Sequence, residues 1–333
     1  MFSFGILAIV IGAAILSAVF TFFAAKIAAH FKIVDQPDSE RKIHKRPVPL
    51  IGGAAIFLAF NFIVAILLLL GELNLENFRL KNLIGIFIAG LWLVVGGLLD
   101  DKFNLKPRVQ IIFPILAIAT VIASGIGIDW ISNPFSAGLL YLDKYVMPVF
   151  WAGGVLYKVT LFADIFTLIW LLGMTYSTKL LDGLDGLVAG ISFIASIFIF
   201  FTSLIKDIPQ YDTALLALVF GASCLGFLFF NFHPAKIFLG EGGSTFCGFM
   251  LGVLSIVSGS KIAITVMLMA VPLLDLIRTV VRRLLAKKSL FKTSDKKHIH
   301  HLLLDFGFSH RSAVLLLYLV TMLLGAGALL LQL

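Results

Sequence analysis

The sequence predicts an all-α, polytopic integral membrane protein of about ten transmembrane helices. Of the 333 residues, 60% are hydrophobic and only 13% are charged, with a mean hydropathy of +1.06. Soluble domains are about half apolar and about one quarter charged. Apolar runs of membrane-spanning length recur along the chain, and Lys and Arg concentrate in alternate connections between them. We expect a single transmembrane domain over residues 1–333.

Ten apolar segments are predicted to cross the bilayer, each near the roughly 20 residues that a spanning helix needs. The first has no basic residue before it and exceeds the about 7 to 15 residues of a signal-peptide core, so we expect a retained helix. The eighth and ninth are short, which leaves nine or eleven spans as alternatives. The predicted spans are 2–30, 51–71, 83–99, 109–128, 159–177, 187–205, 213–230, 244–257, 262–277 and 313–331.

The nine connections between these segments alternate in charge. Twenty of the 26 Lys and Arg residues, and all seven His residues, lie in or beside the odd-numbered connections. The positive-inside rule therefore places the odd connections in the cytoplasm and both termini outside. This pattern indicates an active site in cytoplasmic loops on a membrane platform. A transporter for an anionic solute would need polar groups at mid-membrane, so it ranks lower. We expect no nucleic-acid partner despite the net charge of +8.

The fifth connection contains two aspartates, Asp182 and Asp185, each followed by a glycine and flanked by long apolar runs. An unpaired carboxylate in hydrocarbon costs about 3 kcal/mol or more, so we expect a cationic group to meet them. Glycine permits close backbone approach and positive φ. The loop is therefore predicted to fold around a metal ion or a phosphate.

Two further odd connections carry carboxylates. Asp100 and Asp101 are adjacent at a predicted helix end, where they repel each other unless a cation lies between them. Negative charge is also unfavourable at a helix C-terminus, so a functional role is favoured over a solvated end. The glycine-rich stretch 240–245 resembles an anion-binding turn at a helix N-terminus and contains Glu241.

The first connection, 35–49, is basic and rich in proline, and it contains Arg41, Lys42 and His44. One interpretation is a cationic clamp for phosphate groups. The other is a basic loop on anionic headgroups, where each cation contributes about 1 kcal/mol. Composition alone leaves both open.

The ninth connection begins with a basic amphipathic stretch, 275–290, that we expect to lie on the membrane surface. It continues to His298, His300 and His301. Three imidazoles could form a zinc site, but zinc would need a more complete ligand set. Because the loops supply at least five carboxylates, Mg²⁺ is the better candidate, with Mn²⁺ also possible.

Several other features are assigned no chemistry. The long fourth connection, 129–158, is predicted to form a short hairpin or interfacial segment. Cys224 and Cys247 are expected to be small buried side chains. For Asp164 and Asp275, a structural pairing with a basic group and a catalytic role remain equally open.

Carboxylates for a divalent ion, cations for phosphate and a histidine cluster are the groups that phosphoryl transfer requires. Their order resembles that of the polyprenyl-phosphate N-acetylhexosamine-1-phosphate transferases over almost the whole chain. The histidine pattern is similar to the undecaprenyl-phosphate N-acetylglucosaminyl 1-phosphate transferase branch. The matching motifs are the loop with Asp35, Pro37, Arg41, Lys42, His44, Pro47, Pro49 and Gly52-Gly53; Asp100-Asp101; Asp182-Gly183-x-Asp185-Gly186; Asn231, Pro234, Ala235 and Gly240; and His298-x-His300-His301.

The resemblance implies that undecaprenyl phosphate attacks the β-phosphorus of a UDP-N-acetylhexosamine bound with Mg²⁺, releasing UMP at the start of a cell-envelope polysaccharide such as lipopolysaccharide or teichoic acid. It implies a multi-pass protein of the cell (inner) membrane, and a homodimer is possible. The implied catalytic residues are Asp100, Asp101, Asp182 and Asp185, with Asp100 or Asp101 as the base or as the partner of the lipid phosphate. The implied metal ligands are Asp182, Asp185 and Glu241, and the implied substrate-binding residues are Arg41, Lys42, His44, Lys179, Asn231, His298, His300 and His301.

Three positions depart from the family pattern. Lys179 stands where the family usually has Asn, Glu241 stands where it has Asp, and Gln110 replaces an expected basic residue. Lys179 could supply part of the charge that a metal normally carries, with Glu241 reaching over to balance it. The alternative hypothesis is therefore a catalytically silent relative that binds polyprenyl phosphate or UDP-sugar as a scaffold or regulator.

Overall fold

The computed structural model describes residues 2–37, 47–74, 79–132, 138–152, 155–205, 209–259, 262–286 and 298–331. The helices are α1 (Phe2–His30), α2 (Gly52–Leu69), α3 (Leu80–Phe103), α4 (Pro107–Gln110), α5 (Ile112–Ala123), α6 (Leu161–Leu181), α7 (Leu187–Leu204), α8 (Tyr211–Asn231), α9 (Gly240–Val257), α10 (Ile262–Leu268), α11 (Ala270–Leu285), α12 (Ile299–Asp305) and α13 (His310–Leu330). The strands are β1 (Val34–Asp35), β2 (Val48–Pro49), β3 (Trp130–Ser132), β4 (Leu139–Tyr141), β5 (Val146–Ala152) and β6 (Val155–Thr160).

The all-α membrane fold predicted from the sequence is confirmed. Within the described ranges, eight helices are long and apolar enough to span a bilayer: α1, α2, α3, α6, α7, α8, α9 and α13. The fourth predicted span corresponds to the shorter apolar segment Pro107–Ala123. The ninth corresponds to α10 and α11, which meet at a bend of 82°. Pro272 explains this bend, because it has no N–H for the carbonyl four residues earlier and its ring clashes with that carbonyl.

Helix α9 lies at the centre of the bundle and α1 lies at its edge. In the most apolar 18-residue window of each helix, 89% of the residues are buried in α9 and only 17% in α1. Small residues permit this central position, since helices in membranes approach closely where side chains are small. A Cβ on Gly97 of α3 would overlap the backbone at Gly242, and one on Gly53 of α2 would overlap the backbone of Gly243. The beginning of α9 is therefore pressed against both neighbouring helices.

The outer surface of the bundle is apolar. On α1, Leu7, Ile11, Ile15 and Phe22 are each about half exposed. An exposed apolar face of this length would be a liability in water, but it matches the hydrocarbon of a bilayer. The exposed face of α1 thus agrees with the predicted membrane location.

The connection between α5 and α6 contains antiparallel strand pairs, β3 with β4 and β5 with β6, which confirms the predicted hairpin. Cys224 and Cys247 are free and buried, as expected. Asp164 accepts the backbone N–H of Thr160 at 2.8 Å and so caps the start of α6. Its role is structural, through a backbone group and not the basic partner considered from sequence.

The described parts of the odd connections meet at one end of the bundle. The backbone N–H groups of Gly52 and Gly53 donate to Phe238 O at 3.0 Å and Leu239 O at 2.8 Å, which joins connection one to connection seven. Asp101 in connection three contacts Glu241, and His300 in connection nine packs on the fifth connection. The predicted common face is confirmed, and its cytoplasmic orientation stays a prediction.

Candidate active site

The acidic half of the site, here called the carboxylate cluster, consists of Asp100, Asp101, Asp182 and Glu241. Asp101 lies in the last turn of α3 and accepts the backbone N–H of Glu241 at 3.1 and 3.2 Å. That N–H belongs to the first turn of α9 and has no partner within its own helix. The partial positive charge at this N-terminus offsets the unfavourable position of Asp101 at the end of α3.

Asp100 is fixed by the chain that follows α3. Its Oδ1 accepts the Leu105 backbone N–H at 2.8 Å and Gln110 Nε2 at 2.9 Å. Gln110 Nε2 also donates to Leu105 O at 3.0 Å. The side-chain oxygen of Gln110 is left to face the interior of the site.

Lys179, near the end of α6, connects both sides of the carboxylate cluster. Its Nζ donates to Gln110 Oε1 at 3.3 Å and forms an ion pair with Glu241 Oε1. The ammonium also lies 5.5 Å from the centre of the Tyr176 ring. The three positions that depart from the family pattern therefore touch one another, in the contact series Asp100, Gln110, Lys179, Glu241.

Asp182 immediately follows α6 and opens into the same cleft. Among the described residues, no donor bonds its carboxylate. Asp182 is exposed to solvent at the cleft, although many protein atoms surround its carboxylate. Desolvation, together with the charges of Glu241 and Asp185, raises the pKa of Asp182 to about 7. A nearby cation would reverse this shift, so the cluster is arranged to receive positive charge.

Asp185 belongs to a differently balanced group. Its Oδ2 is 2.7 Å from His233 Nδ1 and accepts the Ala235 backbone N–H at 3.1 Å. The Asp185 backbone N–H donates to His310 Nε2 at 2.8 Å, and the rings of His233 and His310 stack at 4.2 Å. Ligand atoms of these three residues lie within 4.8 Å of one another, as a metal site would require. However, Asp185 Oδ2 and His310 Nε2 already have protein partners, whereas His310 Nδ1 is buried without a hydrogen-bond partner among the described residues.

A second carboxylate and imidazole pair holds the histidine motif. His298 Nδ1 is 2.7 Å from Asp275 Oδ2, and the Ile299 backbone N–H donates to Asp275 Oδ1 at 3.1 Å. Both side chains are buried. Asp275 on α11 thus fixes the first turn of α12, and its role is the structural pairing left open from sequence. We name Asp185, His233, His310, Asp275, His298, His300 and His301 together the imidazole cluster.

His300 lies between the two motifs. Its ring is parallel to that of His298 at 5.7 Å and lies 4.4 Å from that of His301. A Cβ on Gly183 would overlap His300 Nε2, which explains why a glycine follows Asp182. Desolvation, and then the neighbouring histidines, lower the pKa of His300 to about 3. This imidazole is therefore neutral at pH 7 and can serve as a hydrogen-bond donor, not as a cation.

Asn231, expected to bind substrate, connects two loops in the structure. Its Oδ1 accepts the Gly186 backbone N–H at 3.0 Å, and its Nδ2 donates to Ile237 O at 2.9 Å. Gly186 has φ of +80°, which favours glycine. The Asn231 amide thereby positions the Asp182–Gly186 loop against connection seven.

Some predicted site residues, and some site residues that were not predicted, remain to be placed. Arg41, Lys42 and His44 lie outside the described residues. No role was predicted from sequence for Gln110, His233 or His310, although the concentration of histidines in the odd connections was a signal for the last two. Nothing in the sequence alone indicated that Asp275 pairs with His298.

The fold and the site together define a membrane-embedded protein whose carboxylate and imidazole clusters form a cleft at one end of a helix bundle. The family model described as glycosyl transferase family 4 matches residues 83–259. The chain belongs to this family, which confirms the resemblance found from sequence.

Curated relatives agree with this membership. A protein of Bacillus subtilis (strain 168) named probable undecaprenyl-phosphate N-acetylglucosaminyl 1-phosphate transferase is 34% identical over 313 residues, which cover 92% of this chain and 79% of the relative. A decaprenyl-phosphate N-acetylglucosaminephosphotransferase of Mycobacterium tuberculosis is 31% identical, covering 94% and 80%. An undecaprenyl-phosphate alpha-N-acetylglucosaminyl 1-phosphate transferase of Thermotoga maritima is 31% identical, covering 85% and 78%.

Proposed function

We propose that this protein transfers N-acetylglucosamine 1-phosphate from UDP-N-acetylglucosamine to undecaprenyl phosphate, releasing UMP in the first membrane step of a cell-envelope polysaccharide. The observation that carries the proposal is the meeting of the carboxylate and imidazole clusters at one end of an apolar bundle. The names of the relatives support the same sugar phosphate and lipid. The charge bias of the loops supports a cytoplasmic site in the cell membrane.

In the proposed reaction, an oxygen of the lipid phosphate forms a bond to the β-phosphorus of the UDP-sugar. The bond from this phosphorus to the oxygen bridging the two phosphates breaks, and its electron pair leaves with UMP. Such transfers depend mainly on positioning and on stabilising charge on phosphate oxygens. Residues that hold phosphates and balance charge are therefore the ones to identify.

We assign Asp101 as the base that accepts a proton from the lipid phosphate. Asp100 is held by two donors on one oxygen, whereas Asp101 is held through a single backbone N–H. Desolvation raises the pKa of Asp101 to about 8, which increases its tendency to hold a proton. Asp100 instead positions Gln110, and through it Lys179.

The carboxylate cluster fits a divalent cation. It combines four carboxylates with one contacting ammonium among the described residues, and hard oxygen donors suit Mg²⁺, or Mn²⁺ in its place. Asp182 and Glu241 would hold the ion, with Asp185 behind them fixed by His233. When bound, the ion would neutralise charge on the pyrophosphate oxygens.

The imidazole cluster would receive the pyrophosphate. His300 remains neutral and supplies an N–H donor, while Asp275 fixes the orientation of His298. His301 lies beside His300 and would extend the same surface. Because these groups are held before substrate arrives, little ordering is needed on binding.

The test is UMP release by purified protein in detergent with undecaprenyl phosphate, Mg²⁺ and UDP-N-acetylglucosamine. We expect Asp101→Asn and Asp182→Asn to lower the rate by about 100-fold to 1,000-fold, the loss typical of a missing electrostatic group. Omitting Mg²⁺ should abolish release. Full activity in either variant, or without a divalent cation, would contradict these assignments.

The Lys179–Glu241 ion pair favours a second candidate function, because it engages a residue expected to hold the metal. In this alternative the protein binds polyprenyl phosphate or UDP-sugar without turning it over. Retained binding of UDP-sugars, with no UMP release from any of several of them, would support the alternative and contradict the transferase.

A further inference from the structure

An ammonium group lies within the carboxylate cluster, where the proposed function places a divalent cation. Lys179 forms an ion pair with Glu241, and within the described ranges it is the cation that contacts the cluster. The side chains of Lys179 and Glu241 are only 21% and 24% exposed. The pair is therefore partly shielded from the salt screening that weakens surface ion pairs.

Lys179 is held in this position from more than one side. Gln110 Oε1 accepts from its Nζ, and Gln110 is itself bonded to Asp100. The Tyr176 ring lies alongside the ammonium, at a distance typical of a cation–π contact. Each contact reduces the freedom of the lysine to swing out of the cleft.

A small cavity lies next to this ion pair. Its volume is about 20 Å³ and its lining includes Asp100, Gln110, Tyr176, Lys179 and Glu241. This space is enough for about one water molecule. An ion entering it would lie beside the lysine ammonium, so the two positive charges would repel each other.

We propose that Lys179 is a resident counter-ion that competes with the divalent cation for Glu241 and thereby lowers the affinity of the carboxylate cluster for Mg²⁺. The inference rests on the proposed function for the role of the ion, but it concerns metal affinity alone. Like charges a few ångströms apart destabilise each other strongly away from bulk water. A bound ion must either displace Lys179 from Glu241 or tolerate it as a neighbour.

The experiment measures Mn²⁺ binding to the full-length protein in detergent by the electron paramagnetic resonance signal of free Mn²⁺. Lys179→Gln removes the charge and keeps a polar group beside Gln110, whereas Lys179→Arg keeps the charge. We expect Lys179→Gln to lower the Kd for Mn²⁺ at least tenfold. Lys179→Arg should bind Mn²⁺ as weakly as the original chain. Unchanged or weaker binding by Lys179→Gln would overturn the proposal.

Two further variants separate the counter-ion role from a change in folding. Lys179→Met is neutral and similar in length, so it should also bind Mn²⁺ more tightly if charge is the cause. Adding Glu241→Gln to Lys179→Gln should remove the gain, because the freed carboxylate is then absent. A gain that persists without Glu241 would contradict the proposed competition.

UMP release is assayed separately on the same preparations. Tighter Mn²⁺ binding by Lys179→Gln, with no release from any protein, would support the counter-ion role and contradict the transferase. Release by the original chain, with no change in Mn²⁺ affinity among the variants, would support the transferase and overturn the counter-ion role.

Discussion

The carboxylate cluster and the imidazole cluster lie side by side but balance their charges differently. In the imidazole cluster, Asp185 and Asp275 each have an imidazole at 2.7 Å and a backbone N–H donor. In the carboxylate cluster, Lys179 pairs with Glu241, while Asp182 has no donor among the described residues. The two aspartates of the imidazole cluster are therefore paired as folded, although His300 Nδ1 and His310 Nδ1 lack partners among the described residues, whereas the carboxylate cluster still needs positive charge.

This difference separates scaffold from chemistry. Buried polar groups that are hydrogen-bonded make a structure rigid and specific. Charged groups without a nearby opposite charge instead favour binding of a ligand that supplies it. The imidazole cluster connects α11, α12 and the loop after α6. The carboxylate cluster is where binding of a cation changes the local energy most.

The largest change in the free energy of unfolding should come from disrupting the Asp275–His298 pair of the imidazole cluster. Asp275→Ala leaves His298 buried without its partner, and we expect a loss of about 3 kcal/mol in the free energy of unfolding. Asp275→Asn keeps an acceptor and should lose less. Thermal unfolding in detergent measures both variants. If Asp275→Ala unfolds at the temperature of the original chain, the pair does not hold α12 in place.

A smaller change in the free energy of unfolding should come from binding a divalent cation at the carboxylate cluster. Mg²⁺ at about 100 times its Kd should stabilise the folded protein by about 2.7 kcal/mol, because a ligand that binds only the folded state shifts the equilibrium. The midpoint of thermal unfolding should therefore rise with Mg²⁺ concentration. Asp182→Asn should lose most of this rise, and an equal rise in that variant would place the ion elsewhere.

The smallest effect should be the pH dependence of stability that comes from His300 in the imidazole cluster. The pKa of His300 falls from 6.5 to about 3 on folding, so the unfolded chain binds this proton more readily. Its contribution to stability is complete above pH 6.5 and is lost as the pH falls, by about 1.4 kcal/mol per unit. His300→Gln should flatten the dependence of the unfolding midpoint between pH 6.5 and 5. Identical slopes would show that His300 titrates normally.

The sequence predicted the bundle and its polar face because hydrophobic runs and loop charges are local properties. It placed Asp100, Asp101, Asp182 and Glu241 on one side, and the structure brings them into one cleft. It also identified Lys179 and Glu241 as a pair able to balance each other, which the ion pair confirms. Their contact spans 62 positions in the sequence, so the prediction depended on both belonging to motifs of the same face.

Other contacts could not be predicted, because they depend on how helices pack. Asp275 and His298 are 23 residues apart, and their pairing depends on how α11 packs against the beginning of α12. Both polar side-chain atoms of Asn231 bond backbone groups, which the sequence did not indicate, and substrate binding by Asn231 stays a prediction. Gln110 acquires its role only because the chain turns back after Asn104, which has a left-handed φ of 50°.

The backbone contacts at the start of α9 determine which mutations this gene can tolerate. At Gly53, Gly97 and Gly243, the atoms that an added Cβ would meet first belong to backbone, which cannot move aside as a side chain does. In a library of random substitutions sorted for folded protein in the membrane, glycine should survive almost alone at these three positions. The exposed apolar positions of α1 should accept most hydrophobic residues. The pattern of surviving sequences would trace the wall of the cleft without any assay of its chemistry.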